Sequence, residues 1–157
     1  YSVGHLQAIY DHKPSAYRHK FVDTPTKNLF EFGFGLSYST YEYEAPKLSK
    51  KQIKSEESTS ISVKLTNTGK YGGAEIVQLY IRDDFSQITR PVKELKGFKR
   101  IYLESGESAT IEFLVEPDML AYYNRDMEWT VEQGSYTLMI GPSSRQSDLK
   151  SAKLIVN

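Results

Sequence analysis

The 157-residue chain carries 20 basic and 20 acidic side chains, so its formal net charge is zero at neutral pH. That balance excludes a nucleic-acid module or a membrane-surface protein that works by bulk positive charge. The chain has no cysteine, which removes a disulfide framework, a thiolate metal site and a cysteine nucleophile together and leaves the redox compartment open. No apolar run is long enough for a transmembrane helix. Aromatic residues reach 13%, with 12 tyrosines, seven phenylalanines and one tryptophan. Such residues favour strands and shift the expectation toward an all-β fold. The chain opens on Tyr1 rather than Met, which predicts a fragment or a processed end.

From Tyr1 to Leu36 no hydrophobic period is sustained. Pro14 and Pro25 interrupt it, so the segment reads as extended and loop-rich, with one short strand at Leu6–Tyr10. Phe30, Phe32 and Phe34 alternate around Gly33, and a stretch this aromatic is expected to pack on something. Tyr38–Lys47 reads as an aromatic edge strand carrying Pro46. Ile61, Val63 and Leu65 alternate with polar residues as a half-buried strand does. Asn67-Thr68-Gly69 and Gly72-Gly73 mark a turn. Glu75–Arg82 is near-continuously apolar and reads as a central strand covered on both faces. After a loop at Asp83–Pro91, Val92–Leu103 reads as one strand or two, with a bulge or bend at Gly97. Ala109–Val115 alternates again, and Glu116-Pro117 stops it. Asp118-Met119-Leu120 fits one helical turn with Asp118 as its cap. Tyr122–Tyr123 and Glu128–Val131 flank Asn124-Arg125-Asp126 as a hairpin, and strands at Tyr136–Ile140 and Leu154–Val156 close the chain. About seven to nine short strands, with turn signals roughly every 8–12 residues, predict a β-sandwich.

Chemistry is sparse in this pattern. His5, His12 and His19 fall seven apart, but Pro14 breaks the helix that would align them, and no metal site is expected. Asp83-Asp84 and Glu56-Glu57 are adjacent carboxylates at turn-like places. Neighbours on a strand point to opposite faces, so they read as solvated charge rather than a catalytic pair. There is no Gly-x-Ser-x-Gly elbow, and Gly33-Phe34-Gly35 lacks the third glycine and the helix of a phosphate loop. That GxG reads instead as a close-approach turn. Tyr122, Tyr123 and Trp129 flank one hairpin. Exposed, they would stack on sugar rings; buried, Trp129 and one tyrosine would fill the core, which is the commoner use of large aromatics. No catalytic residue and no cofactor site is read from the residues.

Several stretches resemble one family. Asn28–Tyr41, NLFEFGFGLSYSTY, is similar to the PLYPFGYGLSYTTF segment that closes the α/β domain of glycoside hydrolase family 3 enzymes. VGHLQAIYDHKPSAYR upstream resembles that family's VGQIPVYYNHKPSGR. VKLTNTGKYGGAEIVQLYIRD, TRPVKELKGFKRIYLESGES and DMLAYYNRDMEWTVEQGSYTLMIGPSS resemble, in order, its C-terminal fibronectin type III-like domain. Departures are small: Asn28 and Glu31 replace prolines, Asp11 an asparagine, Ala16 a glycine and Ser105 a proline.

The resemblance implies a fibronectin type III-like, immunoglobulin-like sandwich over 37–157, preceded over 1–36 by the tail of the α/β domain. It implies a non-catalytic scaffold. In the family the nucleophilic aspartate sits in an N-terminal barrel and the acid/base glutamate usually in the α/β domain, and neither motif is in this chain. The implied partners are those two domains of the same polypeptide, with Phe30, Phe32, Phe34, Tyr38 and Tyr41 packing the junction. No nucleic acid, cofactor or membrane span is implied. The parent is expected to be a bacterial, periplasmic or secreted β-glucosidase or β-xylosidase that acts with retention. An alternative role is a carbohydrate-binding module that stacks oligosaccharide on Tyr122, Tyr123 and Trp129. A free-standing adhesion-type sandwich fits least, because it has no use for the Asn28–Tyr41 segment.

Overall fold

A computed structural model describes residues 30–157. The Leu6–Tyr10 strand and the three histidines lie outside them. Eleven strands and one helical turn follow in order: β1 (Tyr41–Tyr43), β2 (Lys47–Leu48), β3 (Gln52–Ile53), β4 (Thr59–Asn67), β5 (Gly73–Asp83), β6 (Glu94–Leu103), β7 (Ser108–Val115), α1 (Pro117–Leu120), β8 (Tyr122–Tyr123), β9 (Trp129–Thr130), β10 (Gly134–Gly141) and β11 (Lys150–Val156). The expected all-β sandwich is what forms. One sheet centres on β4, with β7 along one side and β1 and β2 along the other; the second has the order β3-β11-β10-β5-β6. β8 and β9 pair separately as a small hairpin.

Two-residue periodicity builds the core. Ile61, Val63 and Leu65 of β4 meet Val77, Leu79 and Ile81 of β5 and Tyr136, Leu138 and Ile140 of β10 in one buried cluster. The opposite face of the second sheet is covered as well. Tyr80, Met139 and Leu149 form a smaller cluster there, with Leu95 against it. This double cover explains why β5 reads as a near-continuous apolar run, with Gln78 the one polar residue in Ile76–Ile81. The bend expected near Gly97 is present: Leu79 pairs with Gly97 and Tyr80 with Leu95, which leaves Lys96 as the additional residue of a bulge.

Three local expectations need correction. The aromatic stretch at Tyr38–Lys47 is not one strand. Pro46 lacks the N–H a ladder needs, and the chain forms two short pieces against β4 before crossing to pair β3 in parallel with β11. The helical turn is not capped by Asp118: Glu116 occupies the N-cap without a side-chain bond and Pro117 takes the first helical position. Asp118 instead accepts the Trp129 indole N–H at 2.8 Å.

Asp83 and Asp84 are also not solvated charge. Their side chains are only 3% and 10% exposed. Asp83 takes Arg90 at 3.1 Å. Asp84 accepts Ser135 Oγ and Thr137 Oγ1, each at 2.7 Å, and Lys153 Nζ at 2.5 Å, tying the end of β5 to β10 and β11. Burial alone raises the Asp84 pKa, but these donors outweigh it and hold the carboxyl below its ordinary value. Asp84→Ala is expected to cost about 1–3 kcal/mol at pH 7, mostly from stranding the two hydroxyls, because the exposed Lys153 is screened. A group depressed in the fold stabilises above its unfolded pKa and loses that contribution as pH falls through the folded value. The wild-type advantage in urea unfolding should therefore shrink on acidification.

Candidate functional site

Two surfaces stand out, one on the outer face of the second sheet and one on the separate β8–β9 hairpin. The first is the segment leading into β1. Its backbone is tied to the outer face of the sheet: Ser144 N–H donates to Phe32 O at 2.8 Å, and Gln78 Nε2 donates to Gly33 O at 3.2 Å and Pro142 O at 2.6 Å. Tyr80 OH donates to Gln78 Oε1 at 2.5 Å and so fixes the amide's orientation. Gly33 turns with φ 77°, and a Cβ there would stand 2.3 Å from Gln78 Oε1. The sequence reading places a second backbone against this turn; the neighbour is instead the Gln78 side-chain amide.

Below this anchor Lys93 is buried. Its ammonium donates to Ser144 O, reaches Gln146 Oε1 at 3.3 Å and lies 5.9 Å from the Tyr80 ring centroid. Burial pushes its pKa down.

The anchored segment leaves its side chains outside. Phe30 and Phe34 rings lie 5.3 Å apart, and the Arg145 guanidinium sits 5.3 Å from the Phe34 ring centroid. Phe32 remains about half exposed and Phe34 37% exposed, while Leu36 and Tyr38 are almost fully exposed. Tyr41 differs from the other four residues expected at a junction: it packs against the sandwich's own core. Between this segment and the sandwich end opens a cleft of about 600 Å³, walled by Phe34, Tyr41, Glu75, Ile76, Asp148 and Lys150 among others. Glu75 accepts the Tyr43 hydroxyl at 2.8 Å, and burial raises its carboxyl pKa.

The second surface is the β8–β9 hairpin. Its turn is closed by Asn124, whose Oδ1 accepts the Asp126 and Glu128 N–H groups at 2.9 Å each. Arg125 donates to Gln87 O at 3.0 Å, and Tyr122 OH to Glu132 Oε2 at 2.6 Å. Tyr122 is buried, and the Arg90 guanidinium lies 4.7 Å from its ring centroid. Arg90 is itself fixed by Asp83 at 3.1 Å and Glu94 at 3.0 Å. The Glu132 contact raises the Tyr122 pKa. Tyr122 thus serves as a floor rather than an open face.

Tyr123 and Trp129 are opposite each other in the hairpin register, 4.9 Å between ring centroids and tilted by 58°. Both are more than half exposed. The expectation that Trp129 fills the core fails, because its indole N–H is held at the rim by Asp118. Beside the pair is a cleft of about 220 Å³ lined by Thr89, Arg90, Glu94, Lys96, Tyr123 and Trp129 among others. From sequence, Asp118 reads as a helix cap and Lys93 as part of a charged loop-to-strand junction, whereas Gln78 is not singled out. Gln78 does carry a signal, as the one polar residue inside IVQLYI.

Among the described residues no group of three or more histidines or carboxylates is placed to hold a metal ion. Among them, too, no helix is long and apolar enough to cross a membrane.

Two open sheets packed in this order make a fibronectin type III-like sandwich, and the family model described as "Fibronectin type III-like domain" matches residues 75–144. A β-xylosidase of Formosa agariphila is 43% identical over 98% of this chain and 22% of its own length. A periplasmic β-glucosidase of Salmonella typhimurium is 34% identical over 98% of the chain and 21% of its own length. A solved β-glucosidase from Erythrobacter marinus superposes with a TM-score of 0.89 at 34% identity, covering 98% of this chain and 20% of that one. The chain therefore belongs with the family 3 glycoside hydrolases and represents their fibronectin type III-like accessory domain. It spans about a fifth of the length of these relatives.

Proposed function

We propose that this domain is the non-catalytic, C-terminal scaffold of a longer β-glycosidase and that the strip Phe30, Phe32, Phe34 and Tyr38 is where it joins the rest of that polypeptide. The observation that carries the reading is the contrast within the strip. Its backbone is bonded to buried Gln78 and to Ser144, while Phe30, Phe32 and Phe34 stay 65%, 48% and 37% exposed and Tyr38 almost fully so. A rigidly held, exposed apolar surface costs solvation free energy unless something packs on it. In this reading residues 1–36 end the preceding α/β domain and 37–157 form the sandwich. The barrel and α/β domains are the partners. They supply the two carboxylates that cleave β-glucosides or β-xylosides with retention, in a bacterial enzyme that is periplasmic or secreted, as the Salmonella relative is by name.

The test is hydroxyl-radical footprinting of this chain alone and within the longer polypeptide. Phe30, Phe32, Phe34 and Tyr38 are expected to lose at least several-fold in reactivity in the longer form. Equal reactivity in both removes the docking role. The isolated chain is expected not to turn over aryl β-glucosides or β-xylosides, and turnover that scales with its concentration would refute the accessory reading.

A further inference from the structure

We propose that Tyr123 and Trp129, with the adjoining cleft over Arg90, form a carbohydrate subsite for one terminal β-linked glucose or xylose unit. The choice of sugar rests on the reading of the parent as a β-glycosidase; the site itself rests on geometry.

The two rings are held by their own domain before any ligand arrives. They are cross-strand partners in a hairpin, the turn is closed by Asn124, and Arg125 ties the turn to Gln87 O. Trp129 Nε1 is already satisfied by Asp118, so its ring face and not its N–H is what it offers. A β-linked pyranose with equatorial hydroxyls presents a flat C–H face that suits such a ring and a polar rim that needs hydrogen bonds. The rim is present: Thr89, Glu94 and Lys96 line the same cleft, and Glu94 is positioned by Arg90 at 3.0 Å and Lys96 at 3.5 Å. Because the rings lean at 58° instead of lying coplanar, they form a notch for a chain end, not a platform for an extended polymer. The subsite therefore contains two of the three aromatics flagged in the sequence; Tyr122 lies beneath it, covered by Arg90.

One sugar ring has about a dozen heavy atoms. At the ordinary binding energy per atom of a small ligand, its dissociation constant is on the order of 1–10 mM. Linked to a catalytic domain, even so weak a site raises the local concentration of chain ends.

Trp129 is the only tryptophan of the chain, so its fluorescence reports on the site. Methyl β-glucoside, cellobiose and xylobiose are titrated into the 157-residue chain, with glycerol as the control. A saturable emission change with the sugars and none with glycerol is expected. Tyr123→Ala and Glu94→Gln, both with the wild-type far-ultraviolet circular dichroism, are expected to weaken binding at least fivefold. No saturable change up to about 50 mM, well above the expected constant, overturns the proposal. So does an unchanged constant in Tyr123→Ala. If Trp129 in the longer polypeptide is blue-shifted and insensitive to sugar, the face is a domain contact and the proposal also fails. A silent titration leaves the footprinting result for the Phe30–Tyr38 strip untouched, and an unprotected strip leaves the titration standing, so the two readings fail separately.

Discussion

Serine at both Phe32 and Phe34 should lower the melting temperature of the longer polypeptide by about 3–10 °C more than it lowers that of the isolated chain. Burying a phenylalanine side chain fully is worth about 1.5–3 kcal/mol. In the isolated chain Phe32 is 48% and Phe34 37% exposed, so part of that gain is already realised and part awaits a partner surface. Docking both rings therefore adds roughly 1.3–2.6 kcal/mol that serine forfeits in the longer polypeptide alone, and a kcal/mol moves a domain of 150–250 residues by about 2–4 °C. The isolated chain loses only the covered portion, including the contact of Phe34 with Arg145. The backbone anchors to Gln78 and Ser144 do not involve the phenyl groups and remain. Differential scanning calorimetry of both forms separates the two contributions. Equal shifts in the two settings would mean that the rings serve only the sandwich itself.

How much of this was legible in the sequence follows from which physical signal each feature leaves. The core strands announced themselves because one face is buried and one solvated, as in Ile61, Val63 and Leu65 of β4. β5 could be read as doubly covered from its near-continuous apolar run, and the second cluster around Tyr80 and Met139 is that cover. β3 left no such signal, since a two-residue strand with one buried side chain, Ile53, has no period to detect. The turn acids misled for a related reason. Asp83 and Asp84 look solvated next to one another; Arg90 reaches Asp83 from across the following loop, and the donors to Asp84, Ser135, Thr137 and Lys153, are distant in sequence. The hairpin was legible, but the fate of each ring was not. Tyr122 and Tyr123 are adjacent on a strand and must face opposite ways, yet nothing local says which faces inward. Arg90 and Glu132 settle that by converging on Tyr122.

Steep loss of stability above pH 10 is the second large effect expected, and it comes from two deeply buried tyrosines. Burial raises the Tyr43 hydroxyl far above its ordinary pKa, and the Glu75 carboxylate that accepts its proton at 2.8 Å adds to the rise. Burial does the same to Tyr136, reinforced by the charges of Asp83 and Glu132 and opposed by Arg90; its hydroxyl donates to Glu132 O at 2.7 Å. Below pH 10 both are neutral in the folded and unfolded chain, and nothing is gained or lost. Above it the unfolded chain releases protons that these two tyrosines keep in the folded chain, so stability falls by up to about 1.4 kcal/mol per tyrosine per pH unit. Lys93, whose pKa burial lowers, acts in the opposite sense. The unfolded chain holds that proton up to about pH 10.4, so stability rises with pH below that point and the term is spent beyond it. Urea unfolding should therefore show a midpoint that is flat or slightly rising to about pH 10 and then falls steeply. Tyr43→Phe removes one of the two ionisations. It should cost about 1–3 kcal/mol at pH 7, by leaving half-buried Glu75 without its donor, yet lower the alkaline slope by up to about 1.4 kcal/mol per pH unit. A variant whose curve simply runs parallel to the wild type, displaced downward at every pH, would show that Tyr43 ionises freely in the fold and that the slope arises elsewhere.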